Sequence, residues 1–395
     1  MQPAWGMNCL TTGFLKQCIR NDLCPAGHEK FTPHHRSFMT VILNNQEIES
    51  ILDMPQCLTA MEMAFSDLAN GKALNRPRSH TYSPLDAEHY YSFKSMDGAL
   101  PRFGVHAIRL SSDIVREHVV DGRARRDKIP RAPGNKFLGL VQLFSIQTGE
   151  LLAIMQDGYL QKMRVGATSG LAAKFLSRPE SKRVGMFGAG WQADAQLTAL
   201  CAVRKIEEVR LFSPNQANRE MFAQKMTAQL GIPVIPMSDP AAVIRDVDIV
   251  VCATNSLQPV FDGHLLAPGM HVNSLQNGEL DALTLRRSDV VAVRAKERST
   301  HWMMPGHVPA ETKMIASASP ELDAKIRELG PLMVGQVDGR TSDQQITLFG
   351  GSGSGGSSGL GIQFAAVGYA IWQAALERKI GREIPTDWFL EDVHP

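Results

Sequence analysis

Six residues constrain this chain most: Gly188-Ala189-Gly190-Trp191-Gln192-Ala193, which follow the apolar run Val184 to Phe187 and open a helical period with Ala193, Leu197 and Leu200 on one face. A GxGxxA in that position suits the first strand-to-helix turn of a dinucleotide-binding fold. Its glycines allow the tight turn and the close approach of backbone to a pyrophosphate, and Ala193 keeps the helix near the sheet. In isolation the run would equally serve as a tight turn. A second strand at Val209 to Phe212 and another at Asp248 to Cys252 place it in an alternating strand and helix pattern, for which right-handed βαβ units and a parallel sheet are expected.

In such folds the end of the second strand selects the cofactor, because an acid there binds the ribose 2′-hydroxyl and repels a 2′-phosphate. Here the segment reads Phe212-Ser213-Pro214-Asn215, with Arg219 following and no acid in place. NADP is therefore favoured over NAD, with Ser213, Asn215 and Arg219 as candidate contacts, although Ser213 and Asn215 are also ordinary turn residues.

Upstream the pattern differs. Met39 opens a short strand and a helical stretch for which Asn45 is the expected N-cap, and His89 to Ser95, Phe103 to Leu110, Phe137 to Ser145 and Leu151 to Gln156 read as strands. Residues 116 to 136 hold seven basic and three acidic side chains, with no aromatic interleaved, and read as a solvated loop. A helix is expected from about Arg164 to Arg178, and a long amphipathic one through Phe364, Val367, Ile371 and Ala374. Before the latter, residues 350 to 361 contain eleven Gly or Ser in twelve, a flexible connection or an engineered linker. The expected architecture is α/β: a Rossmann dinucleotide-binding domain over 164–339, plus a discontinuous α+β substrate and dimerisation domain from 39–163 and 340–395. Residues 1–38 lack period and read as a disordered extension.

With 41 Lys and Arg against 40 Asp and Glu, the chain lacks the charge excess of a protein built for nucleic acid or an anionic membrane, so a small-molecule partner is expected. No apolar run approaches the roughly 18 residues of a membrane span. The six cysteines show no CxxC pair, which fits a reducing, cytoplasmic setting. Cys9, Cys18, Cys24, His28, His34 and His35 match no standard ligand spacing, and no metal site is expected.

The block Gly149-Glu150-Leu151-Leu152-Ala153-Ile154-Met155, then Asp157-Gly158, Arg164, Ala167 and the glycine motif, resembles the ornithine cyclodeaminase/mu-crystallin family. The resemblance extends from about Leu43 to Trp388. It implies a homodimer in which a Rossmann domain binds NAD(H) or NADP(H) and the second domain supplies the pocket. The implied chemistry is one hydride step at a carbon bearing nitrogen, on a small amino, imino (ketimine) or oxo acid. Ornithine cyclodeamination and a non-catalytic NADP-dependent binding role of mu-crystallin type are the alternatives. By position, Arg164 matches the family arginine that clamps the substrate carboxylate, a role suited to a planar guanidinium. Arg78 matches a second pocket arginine, and Thr254, Asn255 and Ser256 match the nicotinamide-ribose contact.

The sequence also departs from the family. Where members carry a lysine after Gly-Val, this chain has Gly104-Val105-His106, and the segment Asn273 to Gly278 has no carboxylate where a catalytic aspartate would fall, the next being Glu279. That argues against ornithine cyclodeamination more than against imine reduction. His106 is the expected general acid, with Lys94 as a displaced ammonium; Arg109, three residues beyond His106, lies on the opposite face of a strand and is the weaker candidate.

Overall fold

Two polar side chains start the first helices. Asn44 accepts from the backbone N–H groups of Gln46 and Glu47 while the Glu47 carboxylate accepts from Asn44 N–H at 2.8 Å, and Asp53 and Gln56 repeat this capping box at Met54–Ala69. The cap is thus Asn44 rather than Asn45, whose side chain instead accepts from the Tyr159 N–H. The computed structural model describes residues 39–120, 123–297, 299–305, 320–350 and 359–392. The readings of residues 1–38 and of the Gly/Ser run over 351–358 lie outside the described residues.

In chain order the first strands are β1 (Met39–Leu43), β2 (Leu74–Asn75), β3 (Ser79–Pro84), β4 (His89–Leu100), β5 (Val105–Val120), β6 (Arg123–Ile129), β7 (Leu138–Ser145) and β8 (Leu151–Gln156). With β15 (Thr300–Met303) and β18 (Arg382–Pro385) they make one mostly antiparallel sheet in the order β15-β3-β4-β5-β7-β8-β1-β18, to which β2 adds on β4 and β6 on β5. Alternation decides its two faces. Val105, Ala107, Val141, Leu143, Ala153 and Met155 are buried in a core shared with Phe65 and with Phe364, Val367 and Ile371 of the Gly361–Arg378 helix. The opposite face carries Phe93, Ile108, Leu110, Leu140 and Ile154, all half-buried.

The solvated loop expected at 116–136 is corrected by the hairpin of β5 and β6, in which Ile114 faces Ile129 and Arg116 faces Asp127. Past Arg116, where the ladder with β4 ends, β5 and β6 pair with each other alone among the described residues, and such a ribbon has no buried face to impose a period-2 signal. Arg116 pairs with Glu88, and Lys128 with the buried Asp113.

The second sheet contains β9 (Arg183–Phe187), β10 (Glu208–Phe212), β11 (Val234–Pro236), β12 (Ile249–Cys252), β13 (His271–Ser274), β14 (Val290–Val293), β16 (Ile326–Glu328) and β17 (Thr347–Gly350). Its order is β11-β10-β9-β12-β13-β17-β14-β16 and every pairing is parallel, as the alternating pattern requires. Chain order reverses at β9, between β10 and β12, and ligands bind at the carboxyl ends of strands at such a point. The sheets do not follow the sequence boundaries at 339 and 340: β15 returns to the first sheet and β17 belongs to the second. Edge pairing of a four-residue strand leaves no local mark.

Between the sheets runs the Asp157–Leu176 helix, which begins before the expected Arg164; it is buried almost all round, so no amphipathic contrast marks its first turns in the sequence. A Cβ on Gly166 would sit 2.5 Å from Ala195 O, so glycine lets this helix close on the Trp191–Val203 helix.

Candidate active site

The glycine motif sits at the carboxyl end of β9. Gly188 has φ +107°, and a Cβ there would meet Ala253 O at 2.3 Å, so only glycine makes this turn. At Gly190 a Cβ would meet nothing within 4 Å, which leaves open space over the N-terminus of the Trp191–Val203 helix, where Ala189 and Gly190 present their backbone. The Gln192 Oε1 atom is buried without a hydrogen-bond partner among the described residues, and Ala193 is fully buried. A glycine turn with open space at a helix N-terminus fits a dinucleotide pyrophosphate.

At the end of β10, Arg219 Nη1 donates to Ser213 O at 2.6 Å, and its guanidinium carbon lies 5.7 Å from the Phe212 ring centre. Asn215 caps the Gln216–Leu230 helix by accepting from Asn218 N–H. Arg219 is thereby fixed at the carboxyl end of β10.

After β12, the Thr254 N–H and hydroxyl donate to Glu279 Oε1 at 2.6 and 2.8 Å. The other oxygen accepts from Ser274 Oγ and from the N–H groups of Leu275 and Gln276. Ser256 N–H is held by Thr254 Oγ1, which leaves Asn255 at the loop tip. Burial raises the Glu279 carboxyl above its ordinary range, and the donors around it oppose that rise. Glu279 thus ties together the loops after β12 and β13.

Arg164 is buried in the Asp157–Leu176 helix, donates to Gln363 Oε1 at 2.9 Å and to Gln161 Oε1 at 2.6 Å, and lies 4.8 Å from the Phe364 ring centre. Arg109 stands over the same ring at 5.9 Å and is paired with Asp157 Oδ2. Arg294, at the end of β14, lies over Phe349 at 5.2 Å. Burial, then the charges of Arg294 and Arg109 with Arg78 beyond them, hold Arg164 well below the usual guanidinium range. Burial and Arg78 push Arg294 down to about 10. The structure therefore groups Arg78 and Arg164 with two arginines that motif reading did not assign to the pocket. A buried group of cations is an environment for an anion.

Lys94 is buried on β4, opposite Ser111 of β5 and His80 of β3; Met96, two residues on, is opposite Arg109. Lys94 and Arg109 consequently share the inner face. His106 does not: it lies opposite Ala99 on the outer, half-buried face, 3.4 Å from Asp97. His106 and Arg109 thus lie on opposite faces of β5, as strand parity requires, and it is Arg109 that shares the Phe364 ring with Arg164. Sequence reading also missed His80, Tyr82 and His301, where the Tyr82 hydroxyl bonds both Nδ1 atoms at 2.7 and 3.0 Å. The spacing of His80 and Tyr82 on one strand face was a signal; their meeting with His301 was not.

A parallel sheet with a glycine turn at its switch point, in a chain that also buries a cluster of arginines, is the architecture of a dinucleotide-dependent oxidoreductase. The model of the ornithine cyclodeaminase/mu-crystallin family matches residues 39–378, and the chain belongs to that family. It is 32% identical over 251 residues, 62% of this chain and 74% of the relative, to Delta(1)-pyrroline-2-carboxylate reductase of Bacillus cereus. Alanine dehydrogenase of Archaeoglobus fulgidus is 30% identical over 87% of this chain and 98% of its own. Among solved structures, the Delta(1)-pyrroline-2-carboxylate reductase of Thermococcus litoralis, in complex with NADH and L-proline, superposes with a TM-score of 0.69 at 28% identity, over 87% of this chain and 100% of its own.

Proposed function

We propose that this chain reduces a small imino acid, or in reverse oxidises the matching amino acid, with a nicotinamide dinucleotide as hydride partner. The observation that carries the proposal is Arg164, a buried guanidinium whose hydrogen bonds among the described residues go to the neutral amide oxygens of Gln161 and Gln363. A substrate carboxylate completes that site, with Arg78 as the second arm of the clamp. The cofactor, when bound, supplies or accepts the hydride at the carbon bearing nitrogen. The residues Gly188, Ala189, Gly190 and Gln192 would hold its pyrophosphate, and Thr254, Asn255 and Ser256 its nicotinamide ribose. Lys94, on the same inner face as Arg109, gives a proton to the imine nitrogen during reduction and takes it back during oxidation.

The finer cofactor choice is NADPH, supported by the lack of an acid at the end of β10 and by Arg219 in that place. Two copies would pair through the half-buried apolar face of the first sheet, which carries Phe93, Ile108 and Leu110. An archaeal alanine dehydrogenase that superposes with a TM-score of 0.69 at 27% identity is a dimer with bound NAD. His106 lies on that face, so its role would be at the dimer contact rather than in catalysis. A cytoplasmic setting is in keeping with Cys57, Cys201 and Cys252, all free thiols; no helix among the described residues is long and apolar enough to cross a membrane.

Ornithine cyclodeamination is the less favoured reading, because Glu279, the carboxylate next in line, is bound to loop amides. A panel of cyclic and open-chain imino acids with NADPH and NADH, and of amino acids with the oxidised cofactors, tests the proposal. Turnover with an α-imino acid supports it; ammonia release with proline formation from ornithine favours the alternative. Cofactor binding with no turnover across the panel would favour a binding protein.

A further inference from the structure

We infer that Gln363 is the positioning residue of the Arg164 clamp: its amide fixes the guanidinium so that one N–H on each terminal nitrogen stays available to a substrate carboxylate, an inference that rests on the clamp proposed above. Gln363 is fully buried in the first turn of the Gly361–Arg378 helix. Its Oε1 accepts from Arg164 Nη1 and from the Leu360 N–H, both at 2.9 Å, and its Nε2 donates to Thr168 Oγ1 at 2.8 Å. The Thr168 hydroxyl in turn donates to Arg164 O at 2.6 Å, which closes the ring on the residue where it began.

Every role in this ring is forced. A guanidinium and a backbone N–H only donate, so the amide atom between them is the oxygen; the nitrogen then faces Thr168, whose oxygen accepts and whose single proton goes to the Arg164 carbonyl. On the other side, Gln161 Oε1 accepts from Arg164 Nε at 3.1 Å and from Nη2 at 2.6 Å. Two amides thus engage three of the five guanidinium N–H groups among the described residues. The two left belong to Nη1 and Nη2, the end of the fork that pairs with both oxygens of a carboxylate. Gly359, two residues before the helix, puts no side chain there: a Cβ on it would lie 2.7 and 2.9 Å from Nη1 and Nη2.

That the partners are amides has an electrostatic reason. Arg109 stands over the same Phe364 ring but is paired with the Asp157 carboxylate, so its charge is matched within the protein. Amide oxygens orient Arg164 without supplying an opposite full charge, and the attraction of the guanidinium is kept for the ligand. A glutamate at position 363 would match that charge and could not donate to Thr168.

The experiment titrates pyrrole-2-carboxylate, a planar carboxylate whose aromatic ring takes no hydride, into the full-length protein saturated with NADP+, by calorimetry. Wild type, Gln363→Met, Arg164→Lys and the double variant form a cycle. We expect Gln363→Met to weaken the carboxylate about tenfold or more while NADP+ affinity stays within about twofold of wild type. In the Arg164→Lys background the same substitution should change carboxylate affinity by less than about twofold, because its effect passes through the guanidinium. Effects that multiply in the double variant, or wild-type affinity in Gln363→Met, overturn the inference. So does a lowered melting temperature with unchanged affinity, which would make Gln363 a packing residue only. Should Gln363→Met fail to fold, Thr168→Val, which removes the far anchor of the amide, decides by the same criteria. Arg164→Lys separates the two levels: if it binds the carboxylate as wild type does, or wild type binds none, the clamp reading falls. Weak binding by Arg164→Lys beside unaltered binding by Gln363→Met overturns only the positioning.

Discussion

Thr254 and Glu279 are joined twice: the Thr254 backbone N–H and its hydroxyl both donate to one carboxylate oxygen, at 2.6 and 2.8 Å. The other oxygen takes three donors from the loop after β13. Glu279→Gln turns an amide NH₂ toward one of these sets of donors. We expect a stability loss of roughly 2–4 kcal/mol in urea unfolding and weaker NADPH binding by fluorescence titration. Wild-type values in both would show that the loops hold their positions without the carboxylate.

Cofactor preference is read at the end of β10. Ser213→Asp places a carboxylate beside the ribose, in the position of the acid that binds a 2′-hydroxyl. Wild type should be stabilised more by NADPH than by NADH in a thermal-shift titration, and the variant should show the reverse order. Preference for NADH in wild type would refute the assignment.

A pH dependence of stability follows from His271. Burial pushes this imidazole from its ordinary 6.5 down to about 3, between the Thr347 hydroxyl and the Asn273 amide. Below the ordinary value the unfolded chain binds a proton that the native state refuses. The contribution is therefore fully present above pH 6.5 and is lost as pH falls toward about 3. Urea unfolding across that window should fall less steeply with acid in His271→Gln than in wild type. Equal slopes would place the titration elsewhere.

Arg164 and His106 should fail differently. Arg164→Lys keeps the charge but loses the planar fork, so the substrate KM should rise about tenfold or more with a smaller change in kcat. His106→Asn should leave kcat and its pH profile unchanged, since the side chain lies on the outer face; a fall in kcat with loss of the profile near neutrality would restore His106 as the acid.

Local chemistry was legible in the sequence, and pairing was not. The turn at Gly188 and the helix from Trp191 to Val203 depend on residues adjacent in the chain, and both lie where the motif indicates. The first turns of the Asp157–Leu176 helix carry no sequence mark, because burial almost all round removes the apolar stripe that signals a helix start. The place of Arg109 is not legible in the sequence, because strand parity shows which residues share a face but not which face is inner; only the register of Met96 with Arg109 decides that. Arg294 and His301 reach the site through sheet pairings of β14 and β15 with strands distant in sequence.

The central claim is hydride transfer between a nicotinamide and the carbon bearing nitrogen in a carboxylate-clamped substrate. NADPH deuterated at the reactive ring position, incubated with the protein and each imino acid of the panel, tests it most directly, with the products read by mass spectrometry. We expect one deuterium on the α-carbon of an amino acid product, and none of that product with Arg164→Met under the same conditions. Absence of deuterium from every product while the protein binds NADPH would contradict the account.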